Sequence, residues 1–309
     1  NMVPLHIQTP IWESVPLSMA LGSPVLLKME ALQPVGSFKI RGMGHACQAS
    51  YEEGATHLIC ASGGNAGYAV AYAGRQLGVK VTIVVPETTP EWTRDIIRRE
   101  EAQVVEHGES WDSSHAYALQ LAQEKDVAYI HPFDDPRVWN GHATLVEEVA
   151  RDGPKPGVIV VSVGGGGLLC GILQGLHQAG WADVPVVTVE THGTDSFAAS
   201  VAAKRLITLE RITSIATTLA ARTVAAEALA WTGRHPITPW IVTDRAAVDA
   251  CLRFANDHRI LVEPACGAAL STVYDNAAVL SGRAPVLVIV CGGAGASLEL
   301  LREWDRAAG

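Results

Sequence analysis

Short apolar runs rich in Val and Ile alternate with stretches of helical periodicity along almost the whole chain. PVLLKME, THLICA, VKVTIVV, AQVVEH and VAYIHP come first. Between them lie segments such as NAGYAVAYAGRQLG, closed by Gly78, and SSHAYALQLAQEK. Strands that are apolar on both faces and separated by helices bury themselves as a parallel sheet with crossover connections. HPFDDPRVWNGHA, dense in Pro, Asp and Gly, then interrupts the pattern. A second series follows: GVIVVSVG, VPVVTVE, a less regular helical region around 195–232, WIVTD and PVLVIVCGG. The expected class is α/β with two doubly wound open-sheet domains, 35–135 forming the smaller and 1–34 with 136–309 the larger.

Length and composition agree with that reading. A chain of 309 residues, 48% hydrophobic and 18% charged, can bury two cores and is too apolar for disorder. Lys and Arg total 23 against 32 Asp and Glu, a net charge of −9 that repels phosphate backbones and anionic lipid. Nucleic acid and membrane are therefore poor partners. With no signal-peptide pattern at the start and no long apolar run, the cytoplasm is the expected location. Asn1, ahead of Met2, reads as an added residue and is set aside. The six cysteines show no metal-site spacing and read as reduced thiols, and the histidines show neither HExxH nor paired helical spacing.

Glycine makes up 29 residues, more than the usual share, and much of it lies where strands give way to helices. SVGGGGLLCGIL, 162–173, follows a buried strand. Unpaired N–H groups at a helix start, approached by backbone without Cβ atoms, suit a phosphate. A dinucleotide site competes, because Glu190 ends the next strand about where a ribose-binding acid would lie. No frame, however, completes GxGxxG. The position of the third glycine is Leu169 or Cys170. A plain structural turn is the remaining alternative.

ASGGNAG, 61–67, repeats the arrangement with polar residues. Ser62 or Asn65 could simply cap the helix, but five small or polar residues in succession exceed what a cap needs, and a carboxylate is the sharper proposal. CGGAGAS, 291–297, closes the most apolar strand, with Cys291 read as the last strand residue and either core or facing a crevice at the strand ends.

Of the six lysines, five read as solvated. Lys39 stands in QPVGSFKIRG, where Pro34 and Gly36 make a turn, Ser37 can cap, and the lysine falls in the first helical turn. The positive helix end disfavours an ammonium there and favours the nucleophilic amine. A phosphate loop, a carboxylate loop and such an amine together point to pyridoxal phosphate.

PVGSFKIRG, ASGGNAG, SVGGGGLLCG, LVEPACGAAL and IVCGG, in that order, resemble the fold-type II pyridoxal-phosphate enzymes, tryptophan synthase β-subunit-like in fold, and within them the serine dehydratase branch. AYAGRQLGV, HPFDDP and VETHGTDSF extend the resemblance over nearly the whole chain. It implies a lyase, an L-serine/L-threonine ammonia-lyase of amino-acid catabolism, releasing pyruvate or 2-oxobutanoate and ammonia. Lys39 would carry the cofactor as a Schiff base and take the Cα proton, and Phe38 would lie against the ring. Gly164, Gly165, Gly166, Gly167 and Leu168 would hold the phosphate by backbone N–H. Ser62, Gly63, Asn65, Ala66 and Gly67 would bind the substrate carboxylate, with Asn65 also reaching the cofactor's 3′ oxygen. Cys291 would face the pyridine nitrogen, where a thiol makes a weaker electron sink than an acid would and suits elimination. The resemblance also implies a homodimer and a monovalent cation, K+, on the carbonyls of Gly164, Thr194, Leu219 and Ala221.

Two departures stand out. Gly63 occupies the place of a serine in related serine racemases, so racemisation is disfavoured, and the glycine is expected to leave a cavity. Thr218 lies where serine dehydratases carry alanine against the other ring face. The chain ends with the helical SLELLREWDRAAG, so isoleucine feedback through an appended regulatory domain is not expected. A β-replacement enzyme of the same fold, cysteine synthase-like, is the second reading, and a nicotinamide-binding oxidoreductase resting on Glu190 is the third. His131 and His142 read as structural, Arg41 as a local ion pair, and Glu263 as a supporting residue.

Overall fold

The structure is a computed structural model describing residues 2–308, so Asn1 and Gly309 lie outside it. Ten strands occur among the described residues: β1 (Ile11–Glu13), β2 (Val25–Lys28), β3 (His57–Ala61), β4 (Lys80–Val85), β5 (Gln103–Glu106), β6 (Val127–Tyr129), β7 (Val158–Ser162), β8 (Val186–Thr191), β9 (Ile237–Val242) and β10 (Val286–Ile289). They form two sheets, ordered β5-β4-β3-β6 and β1-β2-β10-β7-β8-β9. All neighbours are parallel except the edge pair β1 and β2. The chain is α/β with two parallel-sheet domains, and the contacts divide it into two compact units, 1–7 with 33–142 and 8–32 with 143–309.

In the smaller unit, β3 and β4 are buried almost throughout, as a sheet covered on both faces requires. Leu58, Cys60, Ile83 and Val85 pack with Val70 and Ala73 of the helix Asn65–Leu77 and with Met43 of the helix Lys39–Glu52. Gly78 ends the first of these helices in the left-handed conformation, φ 68°, as its position predicts. In the larger unit β7 and β8 are wholly buried, and PVLLKME lies there as β2, between β1 and β10. Its apolar run is indistinguishable in sequence from those of the other sheet. Only the pairing Val25↔Val286 assigns it.

The strand orders place the ligand-binding end of each sheet. The chain steps from β3 to β4 to β5 in one direction and then returns to β6 on the other side of β3. Likewise it steps from β7 through β8 to β9 and returns to β10 beside β7. At such a reversal the flanking crossover helices lie on opposite faces, and a crevice opens beyond the carboxyl ends of the two strands beside it. ASGGNAG leaves the end of β3, SVGGGGLLCGIL the end of β7 and CGGAGAS the end of β10.

Lys28, read from sequence as solvated, is fully buried. Its ammonium donates to Glu148 and to the Thr9 carbonyl oxygen at 2.7 Å, and Thr9 Oγ1 donates to the buried Glu30 carboxylate at 2.6 Å. The alternation of a half-buried strand gave no warning, because β2 is buried at Lys28 as well as at Val25 and Leu27.

Candidate active site

Lys39 is the first residue of its helix, as the motif predicts, but Ser37 does not cap it. Phe38 occupies the cap position without a side-chain bond, and the buried Ser37 hydroxyl has no hydrogen-bond partner. The turn before it is closed by Gly36 N–H donating to Gln33 O, with Gly36 at φ 70°. Lys39 Nζ donates to the Pro132 carbonyl oxygen at 2.6 Å, just past the end of β6. The lysine thus reaches the switch point of the smaller sheet, where the loop after β3 also begins.

That loop is built on backbone. Gly64, not Ser62 or Asn65, occupies the cap of the helix Asn65–Leu77, and Ser62 Oγ instead accepts from Gly64 N–H at 3.3 Å. Asn65, Ala66 and Gly67 form the first helical turn, whose N–H groups have no partner within the helix. Gly67 is obligatory, since a Cβ there would lie 1.9 Å from the Ser62 carbonyl oxygen. Gly63 leaves no cavity. A Cβ at that position would meet Thr89 Cγ2 at 2.7 Å, so the threonine methyl already fills the space. Thr89 was invisible to motif reasoning because it lies in PETTP, a loop with no site signature.

His131 and His142 frame this end of the unit. His131 Nδ1 accepts from the N–H groups of Phe133 and Asp134, at 3.2 and 2.8 Å, which holds the turn that presents Pro132 O. Burial, with help from His115 and Lys39, pushes its pKa down to about 4, so it is neutral. His142 is fully buried, packs against Phe38 at a ring separation of 5.0 Å and fills the space beside Gly42. Arg41 is also completely buried.

In the larger unit, Val163 N–H donates to Val189 O and the backbone ladder resumes only at Cys170, which donates to Gly166 O. Between them, Gly164 to Leu168 wrap the start of the helix Gly167–Gln178. Gly166 caps it at φ 89°, and a Cβ there would meet Ala228 and Val224 at 2.8 Å. A Cβ on Gly164 would lie 3.2 Å from the Thr218 carbonyl oxygen and the Leu219 Cα. At Gly164 and Gly166 the loop thus lies close against its surroundings, and no backbone bond is made by the N–H groups between Val163 and Cys170. The cradle fits a phosphate, which needs N–H donors and a positive helix end.

Glu190 is withdrawn from any ribose. Fully buried, it accepts from the N–H groups of Phe197 and Ala198, both at 2.8 Å, and so closes the start of the helix Ser196–Ala203. Burial nevertheless raises its pKa to about 8. With this residue engaged, the nicotinamide reading loses its one support.

Cys291 lies two residues beyond β10, not at its last position. It is nearly buried and hydrogen-bonded to Cys266. That bond and burial raise its pKa well above the usual thiol range, so it remains a protonated thiol. Glu263, the cap of the helix Pro264–Tyr274, accepts from Gly295 N–H at 2.9 Å and fills the space beside Gly293, φ 145°. Its role is to hold the glycine turn that follows Cys291. Thr194 Oγ1 and Thr191 Oγ1 are hydrogen-bonded at 2.7 Å, and Ala221 N–H donates to Leu219 O. Among the described residues no group of three or more His, Cys, Asp or Glu could hold a metal ion, and no helix is long and apolar enough to cross a membrane.

The larger unit carries a glycine-rich loop at a helix start where its strand order reverses, and the smaller unit carries Lys39 beside a loop of small and polar residues at its own reversal. Residues 3–292 match the family model described as pyridoxal-phosphate dependent enzyme. The chain belongs to this family. It is 49% identical to human L-serine dehydratase/L-threonine deaminase over 309 residues, covering 97% of this chain and 94% of that one. It is 48% identical to L-serine dehydratase of Dictyostelium discoideum, covering 97% and 91%. Among solved structures, the fungal L-serine ammonia-lyase from Rhizomucor miehei superposes with a TM-score of 0.93 at 37% identity, covering 99% of both chains.

Proposed function

We propose that this member of the pyridoxal-phosphate dependent enzymes is an L-serine dehydratase that also accepts L-threonine, releasing ammonia and pyruvate or 2-oxobutanoate. The observation that carries the reading is the placement of Lys39 Nζ against Pro132 O, at the strand ends from which the Ser62–Gly67 loop also starts. A base and a carboxylate-binding loop at one switch point suit removal of the Cα proton of an α-amino acid.

Lys39 and Phe38 would hold the cofactor's reactive end and ring, Asn65 its 3′ oxygen, Cys291 its pyridine nitrogen, and Gly164, Gly165, Gly166, Gly167 and Leu168 its phosphate. The bound cofactor supplies an electron sink for the pair left when the Cα–H bond breaks. The N–H groups and polar side chains of the 62–67 loop fix the substrate carboxylate, which orients Cα–H towards the lysine. The Lys39 amine accepts that proton. The β-hydroxyl departs as water by taking up the proton that Lys39 accepted from Cα, which restores the neutral amine, and the enamine set free hydrolyses to the 2-oxo acid and ammonia. The protonated thiol of Cys291 can donate a hydrogen bond but not a full charge, which suits elimination over a long-lived carbanion. Gly63 has no proton to deliver from the opposite face, which disfavours racemisation.

The larger unit would serve as the cofactor-binding domain. A homodimer in the cytoplasm, with K+ on the carbonyls of Gly164, Thr194, Leu219 and Ala221, completes the reading.

The test is Lys39→Ala. The variant is expected to keep the far-ultraviolet circular dichroism of the parent and to lose ammonia release from L-serine together with the visible absorbance of lysine-bound cofactor. Continued turnover at the parent rate would refute the assignment.

A further inference from the structure

Pro132 leaves a gap in the smaller sheet. In the β3–β6 pair, Ile130 N–H donates to Ile59 O at 2.8 Å. Parallel strands repeat such bonds every second residue, so the next carbonyl in line, Ala61 O, would expect an N–H from residue 132. Proline has none. Trp111 fills the gap: its indole Nε1–H donates to Ala61 O at 2.8 Å. Trp111 is the first residue of the helix Trp111–Leu121 and is itself held in place. It stacks on His115 at 4.7 Å with an interplanar angle of 11°, and His115 Nδ1 is bonded to Tyr129 Oη at 2.6 Å.

Ala61 is the last residue of β3, and Ser62 follows it directly. We infer that Trp111 is a positioning residue for substrate binding, its indole N–H replacing the ladder bond that Pro132 cannot make and so fixing the root of the Ser62–Gly67 loop. The inference rests on the reading of that loop as the carboxylate site. It also accounts for how β3, an inner strand, keeps the bond at Ala61 O although Pro132, just past the edge strand β6, offers no N–H. Pro132 O accepts from Lys39, and the indole supplies the donor that the proline nitrogen lacks.

Trp111→Phe removes the N–H and keeps a ring to stack on His115. In the holoenzyme this variant is expected to raise KM for L-serine about tenfold, as loss of one hydrogen bond to a buried carbonyl would, with kcat within about twofold of the parent. Amide hydrogen exchange in residues 61–66 should accelerate, while affinity for pyridoxal phosphate, titrated into the stripped enzyme, stays unchanged. Adding Pro132→Ala to Trp111→Phe supplies a backbone N–H opposite Ala61 and is expected to slow the exchange again. Parent-like KM and exchange in Trp111→Phe would overturn the inference, as would an equal loss of cofactor affinity, which signals general disruption. If the parent enzyme fails to act on L-serine, the proposed function falls, and the exchange measurement still decides the role of Trp111.

Discussion

The γ-methyl of Thr89 stands where a side chain at position 63 would have to go, 2.7 Å from the point that a Cβ on Gly63 would occupy. The two residues are complementary in volume, so a larger residue 63 requires a smaller or rotated residue 89. Gly63→Ser is expected to destabilise the fold by about 1–3 kcal/mol through overpacking. Thr89→Ala in the same chain should recover most of that loss. A double-mutant cycle on urea denaturation measures it, and strictly additive effects would contradict the contact.

Lys28 is paired with Glu148 in a buried setting that also holds Glu30. Lys28→Met strands the Glu148 carboxylate without its counter-ion, and the expected cost is about 3–5 kcal/mol. Combining it with Glu148→Leu removes the stranded charge and should be milder than the single change. The midpoint and slope of denaturant unfolding for the three variants give the comparison.

Burial holds the Glu190 carboxyl at a pKa of about 8, against 4.5 for an ordinary glutamate. Between those values the folded chain keeps a proton that the unfolded chain has released. Folding stability contributed by this group is therefore complete below about pH 4.5 and declines as pH rises towards 8. Glu190→Gln cannot titrate. Its stability profile across that window is expected to lack the decline attributable to this residue, whatever other groups contribute. Parallel thermal melts of parent and variant from pH 5 to pH 8 measure the difference in slope.

Gly293 adopts φ 145°, and a Cβ there would lie 2.1 Å from Glu263 Cδ. Gly293→Ala combines an unfavourable backbone conformation with a collision against a nearly buried carboxylate. A loss of at least about 3 kcal/mol is expected, with weakened cofactor retention because Cys291 precedes the displaced turn. Unchanged melting and cofactor absorbance would show that the turn relaxes at little cost.

Fold class was legible because the hydrophobic pattern is strong and local. Runs such as GVIVVSVG can only be strands buried on both faces, and NAGYAVAYAGRQLG carries both its helical period and its terminating glycine. The three glycine-rich loops were legible for the same reason, since small residues recur where a side chain would collide, as at Gly67, Gly166 and Gly293. Lys39 stood out by its place at a helix start. The less accurate expectations concern single side chains. Ser37 and Asn65 have capping chemistry, yet the backbone assigned those caps to Phe38 and Gly64. Lys28 had nothing in its own neighbourhood to announce burial, because Glu148 is 120 residues away.

The order of residues by itself determined that this chain folds as α/β layers with glycine-rich loops at strand ends, because periodicity, turn chemistry and glycine placement act over a few residues. Tertiary structure alone decided which strands are central, and therefore that the glycine loops leave sheets at their points of reversal. It also decided that Glu190 closes a helix, that Thr89 fills the space beside Gly63, and that Trp111 supplies the hydrogen bond Pro132 lacks. Each of these depends on partners distant in sequence, and such pairings exist only once the sheets have closed.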